Sequence, residues 1–257
     1  MSEALRGALL GGLAATAATA LGALPALALR EVSRRAEGLM LGFAAGVMLA
    51  ASAFSLIVPS IDAGAQLFGG RVPASLLAAL AIGVGALLML GVERTLPHEH
   101  RQLGHHGRDA RWARVWLVVL AILIHNFPEG MAIGVGFSGE DAAAGIPLAA
   151  AIAIQDMPEG LVVALALRAV GYPAGKAVLI AAATGLAEPL GAVLASAIAG
   201  VTPVFYPFGL ALAAGAMLFV VSHEMIPETH RGGQQMPATL GVMGGFAMMM
   251  VLDNAFA

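Results

Sequence analysis

His125-Asn126-Phe127-Pro128-Glu129-Gly130 lies in the middle of one long apolar segment, and Gln155-Asp156-Met157-Pro158-Glu159-Gly160 repeats its pattern thirty residues later in the middle of another. A charged side chain at the centre of a bilayer costs about 3 kcal/mol, so the three carboxylates of these motifs together cost roughly 10 kcal/mol. That cost needs an offset, and a bound cation would supply it. The two motifs therefore indicate membrane-spanning helices with a polar site between them.

The rest of the chain has the composition of a membrane protein. Apolar residues make up 59% of it and charged residues only 11%, against about 25% charged residues in an ordinary soluble domain. Eight apolar runs are long enough to cross roughly 30 Å of hydrocarbon as helices, and only helices or closed barrels satisfy their backbone hydrogen bonds there. We therefore predict an all-α polytopic membrane protein in which residues 1–257 form one transmembrane domain. The predicted spans are 5–29, 38–61, 73–93, 112–137, 142–170, 175–200, 202–226 and 237–256.

The distribution of basic residues predicts the orientation of these spans. With eight spans, eleven of the thirteen Lys and Arg residues fall on one side of the membrane, which is the cytoplasmic side by the positive-inside rule. Both termini are then outside the cytoplasm. The segment 94–111, which contains His98 and His100, is predicted to be a cytoplasmic loop.

The first apolar run has an alternative interpretation as a signal peptide. Arg6 precedes it, and Ala26-Leu27-Ala28 resembles a cleavage site. The run is long for a signal peptide, however, and a cluster of three arginines follows it between residues 30 and 35. An uncleaved first helix fits these features better.

The polar residues of the middle spans lie at one depth. The fourth, fifth and sixth runs are centred near residues 125, 156 and 188, so His125, Asp156 and Glu188 lie close to one plane. Within each motif the first and fifth residues share a helix face, because residues four apart stack along a helix. Each motif's proline also frees the carbonyl four residues before it, which is tolerated at this depth only in a cavity or buried in protein. The fourth and fifth helices are therefore predicted to share a polar cleft.

The chemistry of these side chains indicates a divalent transition metal. Imidazole suits zinc, iron, nickel and copper, while carboxylate and carboxamide oxygens extend the range toward manganese and cadmium. When all four are ionised, Glu129, Asp156, Glu159 and Glu188 neutralise two divalent ions. The plainer interpretation is that these side chains only hold helices together. It is weakened because no Lys or Arg lies at the same depth in the sequence.

The paired motifs resemble those of the ZIP (Zrt/Irt-like protein) family of divalent metal transporters, in its bacterial form. The shared features are His-Asn-x-Pro-Glu-Gly on a fourth span, x-Asp-x-Pro-Glu-Gly on a fifth, and eight spans with outward termini. The resemblance covers essentially the whole chain. It implies a 3+2+3 arrangement, in which helices one to three and six to eight form an inverted repeat around helices four and five. It also implies a binuclear metal site at mid-membrane and metal movement toward the cytoplasm.

Carried over to this sequence, the family pattern implies two neighbouring metal positions. Glu129 would bridge them, and Met48 of the second helix would be a soft neighbour of the first. Many eukaryotic members carry histidines on the fifth helix, so the site expected here is richer in oxygen, with zinc as the main cargo and cadmium, iron or manganese as further ions. The implied ligands are His125, Glu129, Gln155 and Glu159 at the first position, and Asn126, Asp156 and Glu188 at the second.

Polar residues also lie at both ends of the expected path. Asp62, at the outer end of the second helix, is either an attractor of cations at the entrance or a solvated loop residue. The histidines of the 94–111 loop are candidates for metal capture, with a disordered polar linker as the alternative. The exit candidates close the seventh helix and are His223, Glu224 and Glu228.

Two other classes of function also use buried carboxylates. A proton- or sodium-coupled cation antiporter would have little use for the imidazole of His125 beside the carboxamide of Asn126. An intramembrane metalloenzyme would need a motif such as H-E-x-x-H, which the chain does not contain. We therefore expect a transporter rather than an enzyme, without a prosthetic group, in the plasma (bacterial inner) membrane. Its expected partners are divalent metal ions and the lipid bilayer rather than nucleic acid, and a homodimer is left open.

Overall fold

The computed structural model of the chain describes residues 1–95, 108–139, 145–230, 233 and 235–256. All regular elements among them are helical, and eight helices are long and apolar enough to cross a membrane. The prediction of an all-α protein with eight spans is confirmed, and the chain is an integral membrane protein. The helices are α1 (Glu3–Leu27), α2 (Arg34–Phe68), α3 (Arg71–Thr95), α4 (Arg108–Gly136), α5 (Gly145–Ala169), α6 (Ala174–Ala199), α7 (Phe205–His230) and α8 (Gln235–Phe256).

The second helix differs most from its predicted range, since it extends well beyond 38–61 at both ends. Its start is set by Ser33, whose hydroxyl accepts a hydrogen bond from the Ala36 amide at 3.2 Å, as an N-cap serine does. Its end is set by Gly69, which has a left-handed φ of 71°, the conformation in which glycine commonly ends a helix. Local capping thus fixes ends that the apolar run alone does not.

The eight helices pack as two groups of four. The most extensive contacts pair α1 with α5 and α4 with α6 in one group, and α2 with α8 and α3 with α7 in the other. We call the first group the site bundle (α1, α4, α5 and α6) and the second the frame bundle (α2, α3, α7 and α8). The two bundles meet mainly where α4 contacts α7 and where α2 contacts α5. The inverted repeat of the 3+2+3 arrangement stays a prediction.

Close helix contacts at glycine lie inside each bundle. A Cβ added at Gly46 would overlap the backbone of α8, one at Gly85 that of α7, and one at Gly130 that of α6. Among the described glycines, each whose added Cβ would lie within 3.0 Å of another helix's backbone meets a helix of its own bundle. Where the bundles meet, by contrast, Gly209 of α7 faces the Val135 side chain of α4. The interior of each bundle is therefore more tightly joined than the interface between them.

Away from their ends, three helices depart from regular α geometry within the membrane-spanning part. The sixth helix is interrupted at Gly185 and Leu186, between the segments Ala174–Thr184 and Ala187–Ala199. The second and seventh helices, both in the frame bundle, contain π-helical segments at Ala51–Ile57 and Val221–Met225. Such interruptions free backbone groups and re-aim side chains, and they occur frequently at functional sites.

The largest apolar cluster lies where the two bundles meet. It includes Met48 of α2, Ile133 of α4, Ile152 of α5 and Met217 of α7, each of which is at most 1% exposed. These side chains surround the middle of the protein with apolar atoms. The polar residues of α4 and α5 are therefore enclosed by a low-dielectric environment.

Candidate metal centre

A cluster of polar side chains is buried at mid-length of α4, α5 and α6. All seven of its members are at most 4% exposed. Because unpaired polar groups in such an environment are costly, their partners decide what the cluster can bind. The members are His125, Asn126 and Glu129 of α4, Gln155, Asp156 and Glu159 of α5, and Glu188 of α6.

Three carboxylates form the centre of this cluster. Glu129, Asp156 and Glu159 each place one oxygen atom within 4.8 Å of the others. In the described part of the chain, no Lys or Arg side chain forms an ion pair with any of them. Three like charges at this separation repel one another strongly unless a cation lies between them. The arrangement is that of a site for a cation.

The two carboxamides are oriented by neighbouring carboxylates. The Nδ2 of Asn126 donates a hydrogen bond to the Glu188 Oε1 at 3.1 Å, and the Nε2 of Gln155 donates one to the Glu129 Oε1. The NH2 group of each carboxamide is therefore held by a carboxylate oxygen. Its carbonyl oxygen, Oδ1 in Asn126 and Oε1 in Gln155, has no hydrogen-bond partner. Both side chains thus offer an oxygen of the kind that binds metal ions.

The cluster as a whole has many acceptors and few donors. Eight of its buried side-chain oxygen atoms have no hydrogen-bond partner, including both oxygens of Asp156 and both of Glu159. Leaving a buried polar group unsatisfied costs about 1–3 kcal/mol. A divalent cation would satisfy several of these oxygens at once, whereas a protein donor would satisfy one. The donor set therefore fits a hard or borderline metal ion.

The carboxylate of Glu188 is placed by the interruption in α6. Glu188 lies in the first turn of the segment Ala187–Ala199, where the partial positive charge of a helix N-terminus favours an anion. Its Oε1 accepts hydrogen bonds from Asn126 at 3.1 Å and from the Thr19 hydroxyl of α1 at 3.3 Å. Its Oε2 has no partner. Three helices of the site bundle thus meet at this one carboxylate.

His125 connects the cluster to the end of α7 that is predicted to face the cytoplasm. The His125 Nε2 lies 2.8 Å from the Glu224 Oε2, although the pair lacks the alignment of a hydrogen bond, so the ring nitrogen is not satisfied by it. Next to Glu224, the Nε2 of His223 lies 2.8 Å from the Glu93 Oε1 of α3. Both α7 residues belong to its π-helical segment. Of the three exit candidates, Glu224 therefore contacts His125 of the buried cluster, and His223 contacts the carboxylate of Glu93.

The remaining predicted site residues differ from the cluster in their partners or their exposure. Asp62 is half exposed and forms an ion pair with Arg71 at 2.6 Å, so it is neither isolated nor part of the buried site. Met48 is 1% exposed within the apolar cluster between the bundles. Glu228 lies exposed near the end of α7. His98 and His100 lie outside the described residues.

Sequence reasoning missed three contacts between polar residues. Glu93 ends an apolar run, where a charged residue ordinarily marks a solvated helix end. Its pairing with His223 depends on how α3 packs against α7. Thr19 lies in an apolar run where threonine is common, and no sequence signal separates it from a packing residue. Toward the opposite end of the molecule, the Ser55 hydroxyl donates to the Asp253 carboxylate at 2.6 Å, a contact between helices distant in sequence.

Comparison with known proteins gives consistent matches over most of the chain. The family model described as ZIP Zinc transporter matches residues 93–253. The "Zinc transporter ZIPB" of Bordetella bronchiseptica is 59% identical over 96% of this chain and 81% of its own length. The "Zinc transporter GufA" of Myxococcus xanthus is 43% identical over 95% of this chain and 97% of its own length. The human "Zinc transporter ZIP11" is 40% identical over 55% of this chain and 43% of its own length.

Proposed function

The chain belongs to the ZIP family, which is a family of transporters rather than of enzymes, and from that premise we propose that it carries zinc ions across a membrane through the buried cluster of α4, α5 and α6. The observation that carries this proposal is the group formed by Glu129, Asp156 and Glu159, whose carboxylate oxygens approach within 4.8 Å in the protein interior. Cation binding offsets the cost of burying these groups, and transport gives a reason to place them at mid-membrane.

We place two zinc ions in this cluster. Four carboxylates carry four negative charges, which two divalent ions neutralise. Glu129, with an oxygen within 4.8 Å of one in Asp156 and one in Glu159, would bridge the two positions. The link between Asn126 and Glu188 at 3.1 Å supports a second position toward α6. The first position uses His125, Glu129, Gln155 and Glu159, beside Met48, and the second uses Asn126, Asp156 and Glu188.

The ligand set favours zinc without making the site selective for it alone. One imidazole is combined with carboxylate and carboxamide oxygens, and oxygen ligands also suit manganese. The chain contains no cysteine, so the thiolates that give structural zinc sites their tight binding are absent from the sequence. Weaker binding permits release during transport. We therefore place cadmium, iron and manganese among the further cargo ions.

We infer that the metal moves from the outer side to the cytoplasm. The orientation rests on the eleven basic residues assigned to one side, which puts both termini outside and suits a plasma membrane location. On the cytoplasmic side, a metal ion leaving His125 would next meet Glu224, whose Oε2 lies 2.8 Å from the His125 Nε2, and then the His223–Glu93 pair. On the outer side, Asp62 supplies negative charge that Arg71 partly neutralises.

The transport step is proposed to be a movement of the site bundle against the frame bundle. Inside each bundle, glycines bring helix backbones into direct contact, and such contacts separate only with loss of close packing. Between the bundles, the contact at Gly209 and Val135 is made by a side chain. The site bundle, which carries the whole metal site, can thus slide or rock as a rigid body against the frame bundle, because in the described part of the chain the interface between the bundles lacks the close backbone contacts at glycine found inside them. Alternating access requires such a movement.

A disulfide across this interface tests the movement. The position of a Cβ at Gly209 lies 3.9 Å from the Val135 Cβ, within the range of about 3.5–4.5 Å that a disulfide needs. Because the chain has no cysteine, the pair Gly209→Cys and Val135→Cys can be cross-linked without side reactions. We expect oxidation to stop zinc uptake and reduction to restore it.

The matched control is a disulfide inside one bundle. A Cβ at Gly64 of α2 lies 3.1 Å from the Ala74 Cβ of α3, about 0.4 Å short of the disulfide range, so a small separation of these two helices of the frame bundle allows the corresponding cysteine pair to form a bridge. Its oxidation should leave zinc uptake unchanged. Full uptake with the Gly209–Val135 bridge formed would contradict the proposed movement and leave zinc transport itself standing.

Zinc uptake by purified protein in proteoliposomes tests the proposed function itself. The parent chain should take up zinc, and His125→Ala and Glu159→Ala should abolish uptake while retaining a folded, monodisperse protein. Glu3→Gln changes an exposed carboxylate at the start of α1 and should behave as the parent. Absence of zinc, cadmium, iron and manganese uptake by folded parent protein would contradict the proposal, and proton flux would then test the antiporter alternative.

A further inference from the structure

We propose that Thr19 of α1 is a positioning residue for Glu188, which it holds so that one carboxylate oxygen is fixed by the protein and the other is offered to the metal. The inference rests on the proposed function, since it takes Glu188 as a ligand of the second metal position. Thr19 is 0% exposed, and its hydroxyl donates to the Glu188 carboxylate of the buried cluster.

Two donors from two helices converge on a single oxygen of Glu188. The Thr19 Oγ1 lies 3.3 Å from the Glu188 Oε1, and the Asn126 Nδ2 lies 3.1 Å from the same atom. The Glu188 Oε2 has no partner. Because the two donors approach Oε1 from different helices, they fix the rotation of the carboxylate as well as its position. Glu188 is thereby prepared as a ligand through Oε2 alone.

The hydroxyl of Thr19 has a competing acceptor in its own helix. Its Oγ1 also lies 3.2 Å from the Ala15 carbonyl oxygen four residues back, a common bond for threonine in a helix. One hydroxyl proton cannot serve both acceptors fully. The Ala15 carbonyl already accepts the helical amide of Thr19, whereas a carboxylate is a stronger acceptor of hydrogen bonds. The proton therefore goes to Glu188.

The backbone of α1 is held against the interruption in α6, which keeps Thr19 in place. The Thr16 hydroxyl donates to the Gly185 carbonyl at 2.7 Å, directly before the segment that carries Glu188. A Cβ at Gly185 would lie 3.0 Å from the Thr16 Cα and 3.1 Å from the Thr19 Oγ1, so the two helices touch closely there. The contact between Thr19 and Glu188 is therefore built into the packing of the bundle.

Calorimetric titration of zinc-free, full-length protein with zinc tests this role. The parent should bind two zinc ions, and Thr19→Val, which keeps the side-chain shape, should weaken one of the two by about 10-fold, as loss of one hydrogen bond to a charged group implies. Thr19→Ser should restore the parental affinity. Thr184→Val is the matched control, because Thr184 is also buried, at 3% exposed, and the bond of its hydroxyl within the described part of the chain goes to the Ala181 carbonyl of its own helix.

A double-variant comparison separates positioning from a structural role. In a Glu188→Ala background, Thr19→Val should not weaken the remaining zinc further, because its effect passes through Glu188. Unchanged affinity in Thr19→Val, failure of Thr19→Ser to restore binding, or equal weakening in the Glu188→Ala background would each overturn the inference while zinc transport stands. A folded parent that binds no zinc would overturn the proposed function and this inference with it.

Discussion

Replacing Glu159 by Gln should stabilise the protein without metal and remove its response to metal. Glu159 has a carboxylate oxygen within 4.8 Å of one in Glu129 and one in Asp156, and neither of its oxygens has a hydrogen-bond partner. At an effective dielectric constant of about 20, each pair of like charges at that distance repels by about 3.5 kcal/mol. The substitution removes two such pairs, or about 7 kcal/mol of repulsion when all three groups are ionised.

The gain in folding stability without metal is smaller than this repulsion, because protons that bind the carboxylates also reduce it. Even a fifth of that repulsion would raise the melting temperature by about 3–6 °C in a protein of this size. The new amide can also donate a hydrogen bond to Glu129 or Asp156, which adds to the stabilisation.

Thermal unfolding of detergent-solubilised protein, with and without zinc, measures both effects. The parent should gain stability as zinc binds, because a ligand that binds only the folded state stabilises it. Glu159→Gln should melt higher than the parent without zinc and gain little when zinc is added. A variant that melts lower without zinc, or that keeps the full zinc response, would refute the electrostatic reasoning. Glu3→Gln, which changes an exposed carboxylate, should match the parent in both conditions.

Three further perturbations follow from the packing, the entrance and the ligand set. Gly85→Ala should destabilise the detergent-solubilised protein by about 1–3 kcal/mol, since the added Cβ would overlap the backbone of α7. Its control is Gly83→Ala, which faces open space and should stabilise the protein by about 0.5–1 kcal/mol. Equal effects of the two substitutions on the melting temperature would refute this packing. Arg71→Gln leaves Asp62 without its 2.6 Å partner and should raise the initial zinc uptake rate about 2-fold at low ionic strength and not at high ionic strength. A rise that persists in high salt would contradict an electrostatic role. Gln155→His exchanges an oxygen ligand for imidazole and should raise the ratio of zinc to manganese uptake; an unchanged ratio would remove Gln155 from the ligand set.

The spans and the centre of the site follow from local sequence features. Apolar runs interrupted by loops predict eight helices, because each spanning segment must satisfy its own hydrogen bonds. The spacing within the two motifs places Glu129 and Glu159 in one cleft, and the structure puts their oxygens within 4.8 Å. The shared depth of the span centres also points to Glu188, whose carboxylate accepts a hydrogen bond from Asn126 of the same cluster.

Features that depend on contacts between distant helices did not follow from the sequence. The interruption of α6 at Gly185 is formed against α1. Pro189 removes the amide that would bond the Gly185 carbonyl, but the sequence does not show that the Thr16 hydroxyl donates to that carbonyl instead. The pairing of Glu93 with His223 joins helices 130 residues apart in the chain. The sequence suggests Asp62 as an isolated charge, although Arg71, nine residues later, forms an ion pair with it. In each case the missing information is the packing of one helix on another.

The central claim is that the zinc ion being transported binds between the carboxylates of α4 and α5. Anomalous X-ray scattering at the zinc edge, from crystals of the parent protein grown with zinc, tests this most directly. We predict strong anomalous peaks enclosed by Glu129, Asp156 and Glu159, with zinc–oxygen distances of about 2.0–2.2 Å. In His125→Ala, the peak beside residue 125 should be lost. Zinc found only at surface residues, with the buried carboxylates free of it, would contradict the claim.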